Sequence, residues 1–413
     1  MEPPSARVPM QRLQRADKFL GAIACALLQP LRLARSRRSI GPPPRNVLLI
    51  KFWGLGSLQL LTPAVRALRR ELPAARLTIL TLRENEAFAR GLGVFDEVRT
   101  LDVRVPHGSG GWGRVFLRIA RLVAALRSAR YDRVYDFEFF TRFSALVSLV
   151  SGARETFGFA APGVWRGAFH TDTVPFNRYW HVARNFRALA GGEDGEEVGA
   201  LTAFPLRPED RASVVGKLDR AGVPCDRPMV VLNPNAGALA LERRWPAPSF
   251  AALARRLATE DRTPVVFVGS EEERGYVAAI VRAAGPAQAG FVTDLSGELS
   301  IGELAALLAR AGALVTNDSG PMHIGAALGT HTVALFGPET PVMYAPIGAR
   351  TVAMWKPPAC SPCINVHDNK VLSCVRGTPE CLTNISVDAV LAEVRVARAA
   401  PSRRLRLAGS SGA

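Results

Sequence analysis

Short apolar runs of strand length alternate with helical stretches of ten or more residues in two parts of this chain, and this alternation constrains the fold more than any other feature. In the first part the apolar runs begin at Asn46, Leu77, Val98 and Arg133. In the second part they begin at Met229, Pro264, Gly312 and Thr332. Because parallel strands need long crossover connections, usually helices, the pattern predicts an α/β fold of two doubly wound domains that face a cleft.

Breaks in this pattern divide the chain. Gly41–Arg45 (GPPPR) ends a basic N-terminal arm, and Gly191–Val198 (GGEDGEEV) is a polar, glycine-rich stretch between the two alternating parts. We therefore predict an arm over residues 1–45, a first domain over 46–200, a second domain over 201–395 and a basic tail over 396–413. A chain of 413 residues is expected to form two domains of ordinary size.

The formal net charge of +16 lies mainly at the two ends of the chain. Residues 1–45 carry nine basic groups against two acidic ones, and the segment after Glu393 carries five basic groups and no acid. Only +4 is left for the remainder, which argues against a nucleic-acid partner. The arm also contains Phe19–Leu28 (FLGAIACALL), which is too short to span a bilayer but can lie in its interface. We expect peripheral association with an anionic membrane surface; solvated arginine tails are the alternative.

Polar clusters follow four predicted strands of the second domain, at the point where each strand ends. They are NPNAG after Leu232, GSEEE after Val268, TNDSG after Val315 and GPETP after Phe336. In open α/β sheets, ligands gather beyond the carboxyl ends of the strands. The four clusters together therefore predict one ligand site.

The turn Asn317-Asp318-Ser319-Gly320 suits the diphosphate of a sugar nucleotide. Gly320 allows the backbone to approach closely, and the amides of the helix that follows are free donors at its positive end. Ser319 adds a hydroxyl donor, and His323, one turn inside the helix, can donate to a phosphate oxygen as the leaving group departs. The alternative is a helix cap made by Asp318 or Ser319, with His323 merely packed.

Further donor contacts are predicted in the neighbouring loops. Arg243 and Arg244, in ERRWP, are candidates to neutralise the diphosphate, although a solvated arginine pair is the alternative. A carboxylate of the run Glu271–Glu273 is a candidate to accept the hydroxyls of a ribose, whereas a first helical turn favoured by the dipole would also explain acids there. Asn233, which opens NPNAG, completes the candidate donor-binding set.

Four of the six cysteines cluster in one segment. They are Cys360, Cys363, Cys374 and Cys381. A C-x2-C pair followed by two more cysteines fits a zinc site, two disulfides or a structural set of thiols. The second pair is spaced more widely than in ordinary structural zinc sites, so we favour a structural role, with zinc as the alternative.

Taken together, these motifs resemble glycosyltransferase family 9, the lipopolysaccharide heptosyltransferase family. The resemblance rests on NPNAG, RRWP, VGSEEE and DLSGELSIGELAALLARAGALVTNDSGPMHIGAALGTHTVALFGPETP, and it covers about residues 46–395. It implies two Rossmann-like domains in the glycosyltransferase B arrangement and inverting transfer that needs no metal or cofactor. The implied donor is a nucleotide sugar, typically ADP-heptose, and the implied acceptor is a growing lipid A-core glycolipid.

The resemblance also implies roles for individual residues. The donor-diphosphate motif of the family is matched by Asp318, Ser319, Gly320 and His323. Arg243 falls where the family carries a basic donor-contacting residue, and Glu271 or Glu272 falls near its ribose-binding acid. We therefore expect a cytoplasmic glycosyltransferase on the inner face of the cytoplasmic membrane, with heptose favoured as the transferred sugar.

The first loop departs from the family pattern. It usually reads Gly-Asp, and that aspartate is the implied general base, but this chain reads Gly56-Ser57. A serine hydroxyl is too weakly basic to take a proton at neutral pH. Three accounts stay open: another base, with Asp136 and Glu138 as candidates; activation chiefly by proximity and charge stabilisation; or a catalytically silent sugar-nucleotide-binding protein. The departure also leaves room for a donor sugar other than heptose.

Overall fold

Two six-stranded parallel sheets form the framework of the part of the chain that the computed structural model describes. That part comprises residues 5–6, 16–30, 42–102, 105–106, 111–161, 163–192, 197–224, 226–237, 240–285, 290–363 and 374–399.

The first sheet lies in the N-terminal half. Its strands are β1 Asn46–Ile50, β2 Arg76–Leu82, β3 Glu97–Leu101, β4 Arg133–Asp136, β5 Glu155–Ala160 and β6 Asp172–Pro175. Its principal helices are α1 Leu55–Glu71, α2 Glu86–Leu92, α3 Gly111–Ser128, α4 Arg142–Val150 and α5 Val182–Leu189. The strand order is β3-β2-β1-β4-β5-β6, and every neighbouring pair is parallel.

The second sheet repeats this topology. Its strands are β7 Val230–Asn233, β8 Val265–Phe267, β9 Val292–Asp294, β10 Ala313–Asn317, β11 Thr332–Phe336 and β12 Thr351–Trp355. Its principal helices are α6 Pro208–Arg220, α7 Ala247–Thr259, α8 Arg274–Ala284, α9 Ile301–Arg310, α10 Gly320–Ala327 and α11 Val387–Ala399. The order β9-β8-β7-β10-β11-β12 is again fully parallel. The predicted fold class, two doubly wound α/β domains, is confirmed.

The sequence pattern located four strands in each sheet and missed β5, β6, β9 and β12. The central strands β7, β10 and β11 are buried at every position, so they read as continuous apolar runs. Strands β6, β9 and β12 are sheet edges with many half-exposed positions, which interrupt such runs. Edge position therefore explains most of what the pattern missed. The proposed boundaries at residues 45, 200 and 395 remain predictions.

The two domains share buried apolar surface. One cluster of buried side chains includes Leu58 of α1 and Phe186 of α5 together with Ile324 of α10 and Met343. Helix α1 packs directly on α10. Because α1 and α10 each begin just after a central strand of its own sheet, this contact brings the carboxyl-end edges of the two sheets together.

The arm is docked on the first domain. A π-helical turn, Asp17–Gly21, continues into an α-helix, Ala22–Leu27, and residues 17–27 are called the arm helix below. The Asp17 carboxylate accepts from the backbone amides of Arg142 and Phe143 at the start of α4, at 3.0 and 2.8 Å. Among the described helices, none is both long enough and apolar enough to cross a bilayer.

Helices α6 and α9 are joined by a buried carboxylate. Glu303 on α9 accepts from Lys217 Nζ at 2.6 Å and from the Ser213 hydroxyl, both on α6. Its other oxygen accepts from the Ser300 amide at 2.7 Å, which completes a capping box at the start of α9. Burial acts to raise the pKa of Glu303, but these hydrogen bonds outweigh it and lower the pKa to about 2.

We expect Glu303→Gln to lower the free energy of unfolding by about 1.5–3 kcal/mol at neutral pH, because hydrogen bonds to a charged group are lost. The folded pKa lies below the ordinary value of 4.5, so the contribution of Glu303 is present above that pH and is lost as the pH falls toward about 2. Denaturant unfolding of both proteins across this range checks the prediction, with the exposed Glu84→Gln as control. A difference that stays constant down to pH 2 would contradict it.

Candidate active site

The two sheets share the strand order 3-2-1-4-5-6, so each has a topological switch point where ligands bind beyond the strand ends. In the first sheet the switch point lies between β1 and β4, which lead into Lys51 and Phe137. In the second sheet it lies between β7 and β10, which lead into Pro234 and Asp318. The predicted site residues lie mainly at these two places.

The side chains of Asn233 and Asn317 hydrogen-bond the loops of the second switch point to each other. The Asn233 amide donates to the hydroxyls of Thr316 and Ser319 at 3.0 and 2.9 Å. The Asn317 side chain accepts from the Trp245 amide and donates to the Pro234 carbonyl, both at 2.9 Å. Both asparagines are buried. They hold the loops after β7 and β10 against each other, and their predicted contact with a donor stays a prediction.

The start of α10 has no side-chain cap. Ser319 occupies the N-cap position, yet its hydroxyl makes no capping bond and instead meets Asn233 and Thr316. The Asp318 carboxylate accepts from Arg243 Nη1 at 3.1 Å rather than from the helix amides. The helix-cap alternative for this turn is therefore not realised, and the positive end of α10 is left for another anion.

His323 lies at the contact between the two domains. A Cβ added to Gly56 would lie 2.7 Å from His323 Cδ2, so only glycine fits opposite this ring. Burial, with a smaller effect from the neighbouring His181, lowers the pKa of His323 to about 3. Among the described residues its buried Nδ1 has no hydrogen-bond partner. His323 is thus a neutral imidazole, which donates from only one ring nitrogen.

The acidic run after β8 is divided between two roles. Glu273 forms a capping box with Ser270, whose amide donates to it at 2.9 Å. Glu271 is exposed and pairs with Arg274, at 2.7 Å from Nη2. Glu272 is also exposed. The helix-start alternative therefore explains Glu273, while ribose binding by Glu271 or Glu272 stays a prediction.

Glu138 reaches the first loop from the end of β4. Its Oε1 atom accepts from Lys51 Nζ at 2.8 Å, from the Phe52 amide at 2.6 Å and from the Trp53 amide at 3.2 Å. All three bonds fall on Oε1, and Oε2 takes no part in them. Lys51 is itself buried, with Nζ 5.2 Å from the centre of the Phe139 ring. This carboxylate therefore fixes the loop that leads to Gly56 and Ser57.

Asp136, the other candidate base, is fully buried behind this loop. Its Oδ2 meets Arg166, the Ser144 hydroxyl at 3.0 Å and His170 Nε2 at 3.2 Å, while Oδ1 accepts from the Glu138 amide at 3.1 Å. Although burial raises the pKa of Asp136, Arg166 and His170 outweigh it and hold the pKa below its ordinary value. Enclosed in this way, Asp136 positions Glu138, and its position does not favour it as the base.

Charges from both domains converge on Tyr344. Burial raises the pKa of its phenol well above the ordinary value, and Glu339, Asp318 and Glu138 raise it further while Arg243 opposes them. Glu138 belongs to the first domain, whereas the other three belong to the second. Charged side chains of both domains therefore influence this one buried phenol, while Gly56 and His323 make the direct contact between the two switch points.

Several contributors to this cleft were not predicted from the sequence. His181 Nε2 bonds the Ala345 carbonyl at 2.9 Å and so links the domains. Asn235 and Ser296 lie beside Gly269, where an added Cβ would lie 2.7 Å from Asn235 Nδ2 and 3.3 Å from Ser296 Oγ. Asn235 was visible in NPNAG as a polar residue after a strand, but nothing local marks His181 or Ser296.

The four clustered cysteines line one small cavity, together with Glu242 and Glu380. None of Cys25, Cys360, Cys363, Cys374 and Cys381 is in a disulfide. Burial and the neighbouring thiols raise the pKa of Cys381 to about 11. Within the described ranges, which omit residues 364–373, no group of three or more His, Cys, Asp or Glu side chains is placed to hold a metal ion. Cys225 lies outside the described residues.

We expect the His323 ring not to titrate between pH 5 and pH 8 in the free protein, because its pKa of about 3 keeps it neutral there. Carbon NMR of ring-labelled histidine checks this, with His323→Asn used to assign the signal. A midpoint near 6.5 would show that the ring is hydrated and would contradict its burial at the domain contact.

Comparison with known proteins matches this architecture to one family. The model of glycosyltransferase family 9 (heptosyltransferase) matches residues 119–372, which is more than half of the chain. Lipopolysaccharide heptosyltransferase 2 of Escherichia coli K12 is 30% identical over 237 residues, which cover 55% of this chain and 66% of that protein.

Solved structures agree in fold. The Escherichia coli ADP-heptose lipopolysaccharide heptosyltransferase II superposes with a TM-score of 0.66 at 22% identity, over 86% of this chain and 98% of that one. The family 9 glycosyltransferase of Veillonella parvula gives a TM-score of 0.68 at 21% identity, over 86% and 97%. The predicted resemblance is confirmed: the chain belongs to glycosyltransferase family 9, the heptosyltransferase family.

Proposed function

We propose that this protein is an inverting glycosyltransferase that moves a sugar, heptose in the favoured case, from ADP-heptose to a lipopolysaccharide core or related surface glycolipid. The observation that carries the proposal is the close approach of the two switch points, where an added Cβ on Gly56 would lie 2.7 Å from His323 Cδ2 and 3.5 Å from Gly320 Cα. Glu138, bonded to the loop before α1, would then act as proton acceptor opposite an anion site at the start of α10, as transfer from a nucleotide diphosphate requires.

The donor diphosphate is proposed to lie at the uncapped start of α10. The helix amides and the Arg243 guanidinium would stabilise the negative charge that develops as the diphosphate leaves. Arg243 is already fixed by Asp318 and by the Ala236 carbonyl, at 3.1 and 2.6 Å, so its fork is preorganised. His323, being neutral, would donate one N–H bond rather than a full charge.

Glu138 is proposed as the general base. The acceptor oxygen attacks the anomeric carbon while the bond from that carbon to the diphosphate oxygen breaks on the opposite face. The proton of the acceptor hydroxyl passes to Glu138, and the diphosphate leaves with the bonding pair. Lys51 and two loop amides hold Oε1 in place, which leaves Oε2 as the atom we assign to the proton. No metal or cofactor enters these steps.

The proposed partners follow from this acceptor. A glycolipid core is anionic and membrane-bound, so we place the protein in the cytoplasm, peripherally on the inner face of the cytoplasmic membrane. We expect no nucleic-acid partner.

A second candidate function is donor binding without transfer. Ser57 stands where the family's first loop usually carries the base, and Glu138 is already bonded by three donors. A protein in which Glu138 only holds the loop would bind nucleotide sugar silently. Transfer of a sugar other than heptose is a further alternative for the same site.

Glu138→Gln is expected to lower kcat about 10²–10⁴-fold, because the amide keeps the loop contacts but cannot take a proton. Ser57→Ala should leave kcat within a few-fold. Transfer from ADP-heptose to a purified lipid A-core acceptor is the measurement, with Glu84→Gln as the matched control. If the Glu138→Gln variant transfers the sugar at the wild-type rate, Glu138 is not the base. If the wild-type protein binds the donor but transfers no sugar, donor binding without transfer is favoured.

ADP is expected to raise the melting temperature of the wild type more than UDP, GDP or CDP do. At a concentration one hundred times Kd, binding adds about 2.7 kcal/mol to stability. Arg243→Gln and His323→Ala should each reduce the ADP shift, whereas the exposed Arg255→Gln on α7 should not. A wild type stabilised by none of the four nucleotides would show that the α10 turn binds no donor.

A further inference from the structure

The arm helix presents its large apolar side chains to solvent. Phe19, Leu20, Ile23 and Leu27 are 65%, 66%, 57% and 74% exposed. Their spacing of three and four residues places them along one face of the helix. Ordinary surface helices bury such a stripe and expose their polar face. We therefore expect an apolar partner to cover this face.

The opposite face docks the helix on the first domain through small and polar side chains. An added Cβ on Gly21 would lie only 3.0 Å from Arg142 Cβ, which shows how close the helix lies to α4. Cys25 is buried among Ala145, Leu149 and Phe169. The helix is therefore held in place by its small residues, and docking leaves the large ones outside.

The charge around this face has one sign. Asp17 is the only acidic residue in the sequence between positions 3 and 70, and both of its carboxylate oxygens accept hydrogen bonds from amides at the start of α4. Lys18 is exposed on the helix. In the sequence, Arg32, Arg35, Arg37 and Arg38 follow shortly after it, outside the described residues. An apolar stripe within a basic segment complements a surface that is anionic outside and hydrocarbon inside.

We propose that the outward face of the arm helix is the docking surface for an anionic lipid bilayer. The stripe would enter the headgroup boundary, with Lys18 near the phosphates. Trp165, which is 47% exposed, lies two residues before Gly167, whose carbonyl accepts from Gln29 just beyond the helix. An exposed tryptophan close in sequence to this contact suits the membrane interface.

A second copy of the chain fits this surface less well. The stripe runs from Phe19 to Leu27, eight steps along the helix or about 12 Å at ~1.5 Å per residue. A stable protein interface buries about 800 Å² on each partner. A strip this narrow falls well short of that area, whereas an interfacial helix needs only one apolar face.

The inference deepens the proposed membrane location, on which it rests, by naming which domain is held there. Asp17 bonds the start of α4, and Ser144 in the first turn of α4 bonds Asp136, which in turn holds the Glu138 amide. The bilayer would thus fix the domain that carries the proposed base.

The test is flotation of the full-length protein with vesicles of phosphatidylcholine, with and without phosphatidylglycerol. We expect binding to the anionic vesicles, weakening at high salt, and at least about tenfold weaker binding for the double variant Leu20→Glu, Ile23→Glu. The matched control is Val396→Glu on α11, where an equally exposed apolar residue is replaced. Hydrogen exchange at the Arg142 and Phe143 amides reports whether the arm helix stays docked in each variant.

Two outcomes would overturn the proposal. One is unchanged vesicle binding by the double variant with the helix still docked. The other is a wild type that binds no vesicles but is a dimer which the double variant converts to a monomer, because the stripe would then be a protein interface. The ADP-induced rise in melting temperature is measured in parallel. This rise depends on the donor site alone. If the membrane proposal is wrong, vesicle binding is lost while the ADP effect remains; if the transferase proposal is wrong, the ADP effect is absent.

Discussion

The whole site depends on the close approach of two helix starts across the domain contact. A Cβ on Gly56 would lie 2.7 Å from His323 Cδ2, and a Cβ on Gly320 would lie 3.1 Å from Leu55 Cβ. Two glycines therefore allow α1 and α10 to meet almost backbone to backbone. Since each helix follows a central strand of its own sheet, this single contact brings the two switch points into one cleft.

Burial at this contact dictates how the charges are arranged. An isolated buried ion costs several kcal/mol, so ionised side chains here are paired: Lys51 with Glu138, Arg243 with Asp318 and Arg166 with Asp136. His323 has no such partner and is neutral. A donor diphosphate bound here would therefore meet Arg243, which a single carboxylate, that of Asp318, holds. The diphosphate carries more negative charge than Asp318 and would compete with it for the guanidinium.

The central strands could be predicted from the sequence, whereas the hydrogen-bond partners of individual polar residues at the candidate site could not. Strands β10 and β11 are buried throughout, so each can be recognised in the sequence as a continuous apolar run. The edge strands β9 and β12 are half-exposed and give no such run. The bond from the Trp245 amide to Asn317 could not be foreseen, because tertiary neighbours decide what a side chain bonds; the predicted contact of Asn317 with the donor stays a prediction. The docked face of the arm helix was equally invisible, since it depends on Asp17 finding α4 from 125 residues away.

The choice between Asp136 and Glu138 shows the same limit and also offers an account of Ser57. Two residues apart at a strand end, the two carboxylates look equivalent in sequence, yet one is enclosed by Arg166 and the other reaches the first loop. Glu138 bonds the amides of Phe52 and Trp53, in the loop where the family pattern places its aspartate only four residues further on. A carboxylate from the end of β4 therefore lies beside the loop in which this chain carries Ser57. Under the proposed mechanism Ser57 would not need to act as a base, because Glu138 would take the proton.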